Sequence, residues 1–215
     1  MQLEEVKEDI NRLHKRYGGD SLEPIHGAGC VKNPKVMFIF MNPTAKNVSA
    51  HSSWKGLRAP WLGTKNVWKL FYKLGVISEE NFRKTQLLKP AEWTPVFSKR
   101  IYLEIQKNKV YVTNLAKCTQ PDARPLHGKI FRDYRDVMLR EILLINPKKI
   151  ITFGNQVSSI LLGKPVKVGN YDKKSSGELL RINDKKFFVY PTYYPVGQGI
   201  RNMNLAISRI EEIRR

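Results

Sequence analysis

The sequence predicts an α/β fold: a single three-layer α/β/α sandwich with a central, mainly parallel four-stranded sheet. Two observations carry that expectation. Short apolar runs, Val36-Met37-Phe38-Ile39-Phe40, Val110-Tyr111-Val112 and Ile150-Ile151-Thr152-Phe153, have the length of strands and are apolar on both faces. Between them lie longer stretches with apolar residues at helical spacing. Strands alternating with helices imply parallel crossovers and a sheet covered on both sides. The 215 residues suffice for one such domain, and no linker or internal repeat divides them. Residues 1–34 read as an N-terminal helix and loop packed on that domain.

Leu3, Val6, Ile10 and Leu13 define the first helix, and Gly18-Gly19 ends it. A Gly- and Pro-bearing loop leads to the first strand, which stops at Asn42-Pro43 because proline has no ladder donor. A long loop, 43–63, holds His51, Trp54, Arg58, Pro60 and Trp61. A ring in such a loop is either an anchor to the core or a surface offered to a ligand. Thr64 reads as the N-cap of a helix through Val67, Trp68, Leu70, Phe71 and Leu74. Residues 78–109 are helical, with starts at Ser78 and at Thr94-Pro95. The second strand, 110–114, runs into a loop that ends at Pro125. One helix is expected over 131–145, stopped by Pro147. After the third strand, Asn155 is placed as the cap of a helix reaching Gly163. A basic connection, a hairpin (179–182 with 187–190), a Tyr- and Gly-rich loop (191–201) and a final amphipathic helix follow.

Composition narrows the function classes. Hydrophobic residues make up 41% and charged residues 27%, as in a globular chain. No apolar run approaches the roughly 18 residues of a membrane span, and the N-terminus lacks a signal-peptide core. The expectation is a cytoplasmic monomer, nuclear in a nucleated host. Two cysteines, Cys30 and Cys118, are too few for a disulfide framework or a cysteine metal site, so no metal or cofactor is expected. Lys and Arg number 38 against 19 Asp and Glu, a net charge of +19. Such an excess points to a polyanion, most simply nucleic acid, with solubility as the plainer explanation.

The residues that stand out all follow strands: Asn42, then Asn114, then Tyr194 and Arg201. In a parallel sheet those ends share one edge, where sites form. An Asn amide offers a donor and an acceptor together, suited to a nucleobase edge. Aromatic faces suit base stacking, and arginine suits phosphate. Each residue taken singly also has a structural explanation, as a cap, a turn or a core filler.

These motifs resemble the uracil-DNA glycosylase superfamily. Residues 36–44 resemble its first motif, and Met41-Asn42-Pro43 is closest to the Asn-Pro-Gly of the mismatch-specific and single-strand-selective branches. Pro60-Trp61-Leu62-Gly63 resembles the Pro-Phe-Val-Gly of the bacterial and archaeal iron–sulfur branch. Residues 110–121 and 139–163 resemble further segments of that branch. Residues 191–202 resemble its Pro-Thr-Tyr-His-Pro motif followed by Arg-Asn. The departures are specific: four cluster cysteines are not present, Thr44 replaces a glycine, and Tyr194 replaces the histidine. The loop before Arg201 is one residue longer, which makes Tyr193 a second candidate for that position.

The resemblance implies a monofunctional DNA glycosylase that flips out and excises uracil or another deaminated base. It implies Asn42 and Tyr194 as catalytic residues, with Asn42 holding water and Tyr194 donating to the base. Trp61, Asn114, Met41 and Pro43 would bind the substrate. Arg201, Thr64, Lys65, Gln198 and Asn202 would contact DNA, single- or double-stranded. Two other readings stay open: a relative that binds nucleic acid without cutting, and an enzyme of small nucleotides.

Overall fold

The expected layers form around a wider sheet. The structure is a computed structural model and describes residues 3–171 and 177–214. Helix α1 (Leu3–Tyr17) and a two-residue strand β1 (Ala28–Gly29) precede the first long strand, β2 (Val36–Phe40). Helices α2 (Asn66–Lys73), α3 (Glu79–Leu87) and α4 (Pro95–Lys107) lead to β3 (Val110–Asn114). Helices α5 (Gly128–Asp133) and α6 (Arg135–Ile145) lead to β4 (Lys149–Phe153). Helix α7 (Asn155–Leu162), a hairpin of β5 (Glu178–Ile182) and β6 (Lys185–Thr192), and helix α8 (Met203–Arg214) follow.

Strand order is β1-β3-β2-β4-β6-β5. The four inner strands run parallel, while β1 and β5 add antiparallel edges. The sheet therefore has six strands among the described residues rather than the four expected. β1 is two residues long and too short to show a period. The hairpin was legible, but its membership in the same sheet is set by tertiary register, Ile150 beside Val189.

Side chains alternate across the strands. Phe38, Phe40, Ile151 and Phe153 face a core closed by Trp68 and Phe71 of α2, Ile101 and Tyr102 of α4, and Ile210 of α8. Met37, Ile39, Tyr111 and Ile150 face the other core, closed by Phe131, Met138, Ile142, Val157 and Leu161. Each fully buried ring or branched chain contributes about 2 kcal/mol. Helix α1 packs outside α6, through Val6 and Ile10 on Val137 and the Arg140–Asp9 ion pair.

Three local expectations are corrected. The helix expected over 131–145 is two, since α5 ends and α6 begins at Tyr134, whose ring is fully buried. Apolar spacing runs on across so short a break and hides it. Thr64 does not cap α2; Lys65 stands at that position without a side-chain capping bond, and the Thr64 hydroxyl donates to the Trp61 carbonyl at 2.7 Å. Gly154, not Asn155, is the N-cap of α7; the Asn155 Oδ1 accepts from the Val168 N–H at 2.9 Å. Ser78 and Thr94 cap α3 and α4 as expected. Residues 172–176 of the basic connection lie outside the described residues.

Candidate active site

Parallel pairing sets the C-terminal ends of β3, β2, β4 and β6 along one edge. Phe40 is level with Asn114, and Phe153 with Thr192. Asn42 and Tyr194 each lie two residues past such an end. The loops after β2 and β3 then continue the pairing beyond the sheet. The N–H groups of Leu115 and Ala116 donate to the carbonyls of Phe40 and Met41, at 2.8 and 3.0 Å. Gln120 donates to Pro43 at 3.1 Å, and Ala45 to Gln120 at 2.8 Å. Asn42 is thereby held beside the exit of β3. Its Nδ2 donates to the Pro43 carbonyl at 3.1 Å. Asn114 is 2% exposed, and its side-chain amide makes no hydrogen bond among the described residues.

Phe40 gathers the aromatic residues. It stacks on Phe153 at 4.2 Å between centroids, meets Trp61 edge-on at 4.9 Å and meets Tyr194 edge-on at 6.4 Å. Trp61 arrives from the long loop after β2. That loop is anchored along its length. Asn47 Nδ2 donates to the Ala59 carbonyl at 2.8 Å, and the Tyr102 hydroxyl to the Pro60 carbonyl at 2.6 Å. Thr64 holds the Trp61 carbonyl, and the Val48 N–H donates to Leu62 at 3.0 Å. So fixed, Trp61 takes a left-handed φ of 70°, costly for a residue with a Cβ. Its indole N–H is buried without a partner among the described residues.

Tyr194 and Tyr193 diverge. Tyr194 packs on Phe40, and burial pushes its hydroxyl pKa above the ordinary tyrosine value. Gly199 closes over it; a Cβ there would collide with the Tyr194 carbonyl. Tyr193 lies by the turn Val168–Tyr171, where a Cβ at Gly169 would sit 3.4 Å from its hydroxyl.

Under Asn114 lies a buried polar network. Lys117 Nζ is 2.6 Å from Glu141 Oε2, donates to the Thr113 hydroxyl at 2.6 Å, and donates to the Asn114 carbonyl. Glu141 Oε1 accepts from the hydroxyls of Tyr111 and Thr113, at 2.8 and 2.9 Å. The site thus rests on a buried ion pair whose Glu141 Oε1 and Lys117 ammonium are also hydrogen-bonded. Nearby, His26 has its pKa lowered to about 4, by burial first and then by the Lys117 charge.

The remaining sequence-predicted residues are placed unevenly. Met41 is half-buried against the core of α6 and α7, and Pro43 is buried. Arg201 is exposed and Asn202 half-buried on the turn Gly197–Asn202 beside Gly199. The Gln198 side chain lies outside the described residues. Lys65 is exposed, but its ammonium donates to the Gln86 carbonyl at 2.6 Å. Thr64 serves the Trp61 loop, as above. Among the helix 2–4 cations, Arg83 and Arg100 are paired with Glu79 and Glu80.

Comparison with known proteins decides the family. The profile described as the Uracil DNA glycosylase superfamily matches residues 26–206, most of the chain. The chain belongs to the uracil DNA glycosylase superfamily. A similar protein is the type-4 uracil-DNA glycosylase of Sulfurisphaera tokodaii, 27% identical over 105 residues. That alignment takes in 48% of this chain and 47% of the relative, so the chain spans about half the length of the curated relative it matches. The matched span runs from His26 to Ala206 and so takes in Asn42, Trp61, Asn114, Tyr194 and Arg201.

An iron–sulfur cluster, which the resemblance to one branch of the superfamily raises, does not fit these residues. Such clusters take four thiolates. Here Cys30 and Cys118 are buried free thiols, and burial pushes Cys118 up to about 11, away from thiolate character. No group of three or more His, Cys, Asp or Glu among the described residues could hold a metal ion. No helix among them is long and apolar enough to cross a membrane.

Sequence reasoning missed Phe40 as the shared ring and the Lys117–Glu141 pair. Both left a trace. Lys117 interrupts the run Leu115-Ala116-Cys118, and Glu141 sits on the apolar face of Val137, Met138 and Ile145. A cation and a carboxylate, each alone in an apolar setting, invite pairing.

Two predictions follow from the network. Lys117→Met should destabilise the fold by about 3–5 kcal/mol in chemical denaturation, because Glu141 is left charged and buried. Lys117→Met with Glu141→Leu should recover only part of that loss, because the buried Tyr111 and Thr113 hydroxyls then lose their acceptor. The His26 pKa is depressed in the fold, from 6.5 to about 4, so the unfolded chain binds its proton first. Stability should therefore fall as pH drops from 6.5 towards about 4, and His26→Gln should flatten that part of a stability-versus-pH curve.

Proposed function

We propose that this protein is a monofunctional DNA glycosylase that hydrolyses the N-glycosidic bond of uracil or another deaminated base in DNA. The observation that carries this reading is the pairing of two asparagines, Asn42 and Asn114, on hydrogen-bonded strand exits beside Trp61 and Tyr194. Superfamily membership supports it. A base inside a duplex is out of reach of such an edge, so the target would be extruded into it. The Asn114 amide, donor and acceptor in one group, reads the pyrimidine edge. Trp61 offers its ring for stacking. Arg201, exposed on its turn, holds phosphate.

The bond breaks with its electron pair passing to the base nitrogen, leaving an oxocarbenium-like sugar. The Tyr194 hydroxyl, kept protonated by burial, donates to the base oxygen where negative charge develops. Asn42 Oδ1 accepts a hydrogen bond from a water aimed at C1′. The water oxygen bonds to that carbon, and its proton leaves to solvent. Asparagine is no strong base, so departure of the base precedes attack. DNA is the partner, the acting unit is a monomer, and the compartment is the cytoplasm or nucleus where DNA lies.

Asn42→Ala should remove most base release from uracil-containing oligonucleotides while leaving their binding nearly intact, since water is engaged only as the bond breaks. Tyr194→Phe keeps the ring and should slow release roughly ten- to thousand-fold. Tyr193→Phe should cut at the wild-type rate. Equal rates in all three variants would discard the mechanism. Affinity for DNA should also fall steeply with salt, as counterion release requires. A nearly flat dependence, with intact uptake of free nucleotides, would favour a small-nucleotide enzyme.

A further inference from the structure

The sheet has a second edge. Lys35, Lys109 and Lys148 each stand just before a parallel strand, and Lys185 and Lys186 begin β6. All five are exposed. The backbone locks them together: Lys35 N–H donates to the Lys109 carbonyl at 2.7 Å, and Lys148 N–H to Pro34 at 3.0 Å. Between β4 and β6 this edge opens into a cleft of about 690 Å³, lined in part by Asn33, Asn146, Lys148, Lys185 and Lys186. Asn33 and Asn146, both with left-handed φ, join through their amides at 2.8 Å, and Lys185 Nζ reaches Asn146 Oδ1 at 3.4 Å.

Among the described residues no ion pair neutralises this charge: none of the five lysines forms one, and Asp184 on the hairpin turn forms none either. The hairpin adds to the crowding by setting Arg181 directly across from Lys186. Like charges in that register are destabilising unless an anion lies over them. Lysine ammoniums act as point charges for phosphate. The cleft's own ring, Phe187, is buried, and the exposed Phe188 and Leu179 of the hairpin are not among the residues that line it, so the cleft itself offers charge rather than an apolar anchor.

We propose that this cleft is a second DNA-binding surface, holding a phosphodiester backbone other than the one at the candidate active site. It rests on the glycosylase reading only in naming DNA as the polyanion. The two edges lie at opposite ends of five-residue strands, roughly 17 Å apart at about 3.3 Å per residue. Opposite edges face opposite ways, so a DNA segment engaged at one does not run along the other. The protein would therefore bridge two segments, or pass from one to another.

The test uses the full chain, two undamaged duplexes carrying donor and acceptor dyes, and the variant Lys148→Gln/Lys185→Gln/Lys186→Gln. Wild-type protein, shown monomeric by sedimentation, should bring the dyes together. The variant should need at least about ten times more protein to do so, with a salt slope shallower by about 2–3. Base release from a single-stranded uracil oligonucleotide should be unchanged in it. Bridging that survives in the variant overturns the proposal, and so does its absence in the wild type. Polyglutamate that binds the wild type in preference to duplex, and not the variant, overturns it in favour of an acidic protein. Bridging with no base release in either protein would sink the glycosylase reading and leave this surface standing.

Discussion

Peptide groups leaving a buried sheet need hydrogen-bond partners, and here the exits of β2 and β3 supply each other. The carbonyls of Phe40, Met41 and Pro43 accept from the loop after β3, and Gln120 accepts in return from Ala45. Loops freed from a sheet would normally drift towards solvent. These two are bound to each other as an extension of the ladder, which ties the backbone at Asn42 to the exit that carries Asn114. The Lys117–Glu141 pair lies directly below and grips the Asn114 carbonyl. Two polar side chains are thus positioned by backbone bonding above and a buried charge pair beneath.

The aromatic residues depend on that same strand. Phe40 is the last residue of β2, and its ring touches Phe153, Trp61 and Tyr194. Rings from three separate chain segments therefore share one neighbour. The loop that carries Trp61 is long, yet the carbonyls of Ala59, Pro60, Trp61 and Leu62 are each held. A left-handed tryptophan costs about 1–3 kcal/mol and persists only where its surroundings over-determine it. The loop's backbone is the anchor, and the Trp61 ring packs on Phe40 at the strand exits.

The charge is unevenly distributed between paired and unpaired groups. Exposed pairs such as Arg83–Glu79 and Arg100–Glu80 neutralise part of the helical layer. The lysines at the strand starts have no such partners among the described residues. A parallel sheet concentrates like chemistry at its two ends, because equivalent positions of every strand meet there. The same geometry that gathers asparagines and tyrosine at one edge gathers lysines at the other.

By itself the sequence determined the layer order, the four parallel strands, the hairpin, and the sites of Asn42, Trp61, Asn114, Tyr194 and Arg201 relative to them. Those are local matters: apolar runs, helical spacing, and proline or glycine at the breaks. Family motifs lie in the same short segments. Tertiary structure decided the rest. The edge strand β1 and the cap of α7 depend on partners far along the chain, and Thr64 is drawn from the α2 cap by the Trp61 carbonyl of a loop fixed elsewhere. One inserted residue leaves two tyrosines open in the sequence, and the fold gives them different surroundings: Tyr194 lies beneath Gly199 against Phe40, and Tyr193 lies by Gly169. The Lys117–Glu141 pair joins residues from β3's exit and α6, and only their burial together makes either charge tolerable.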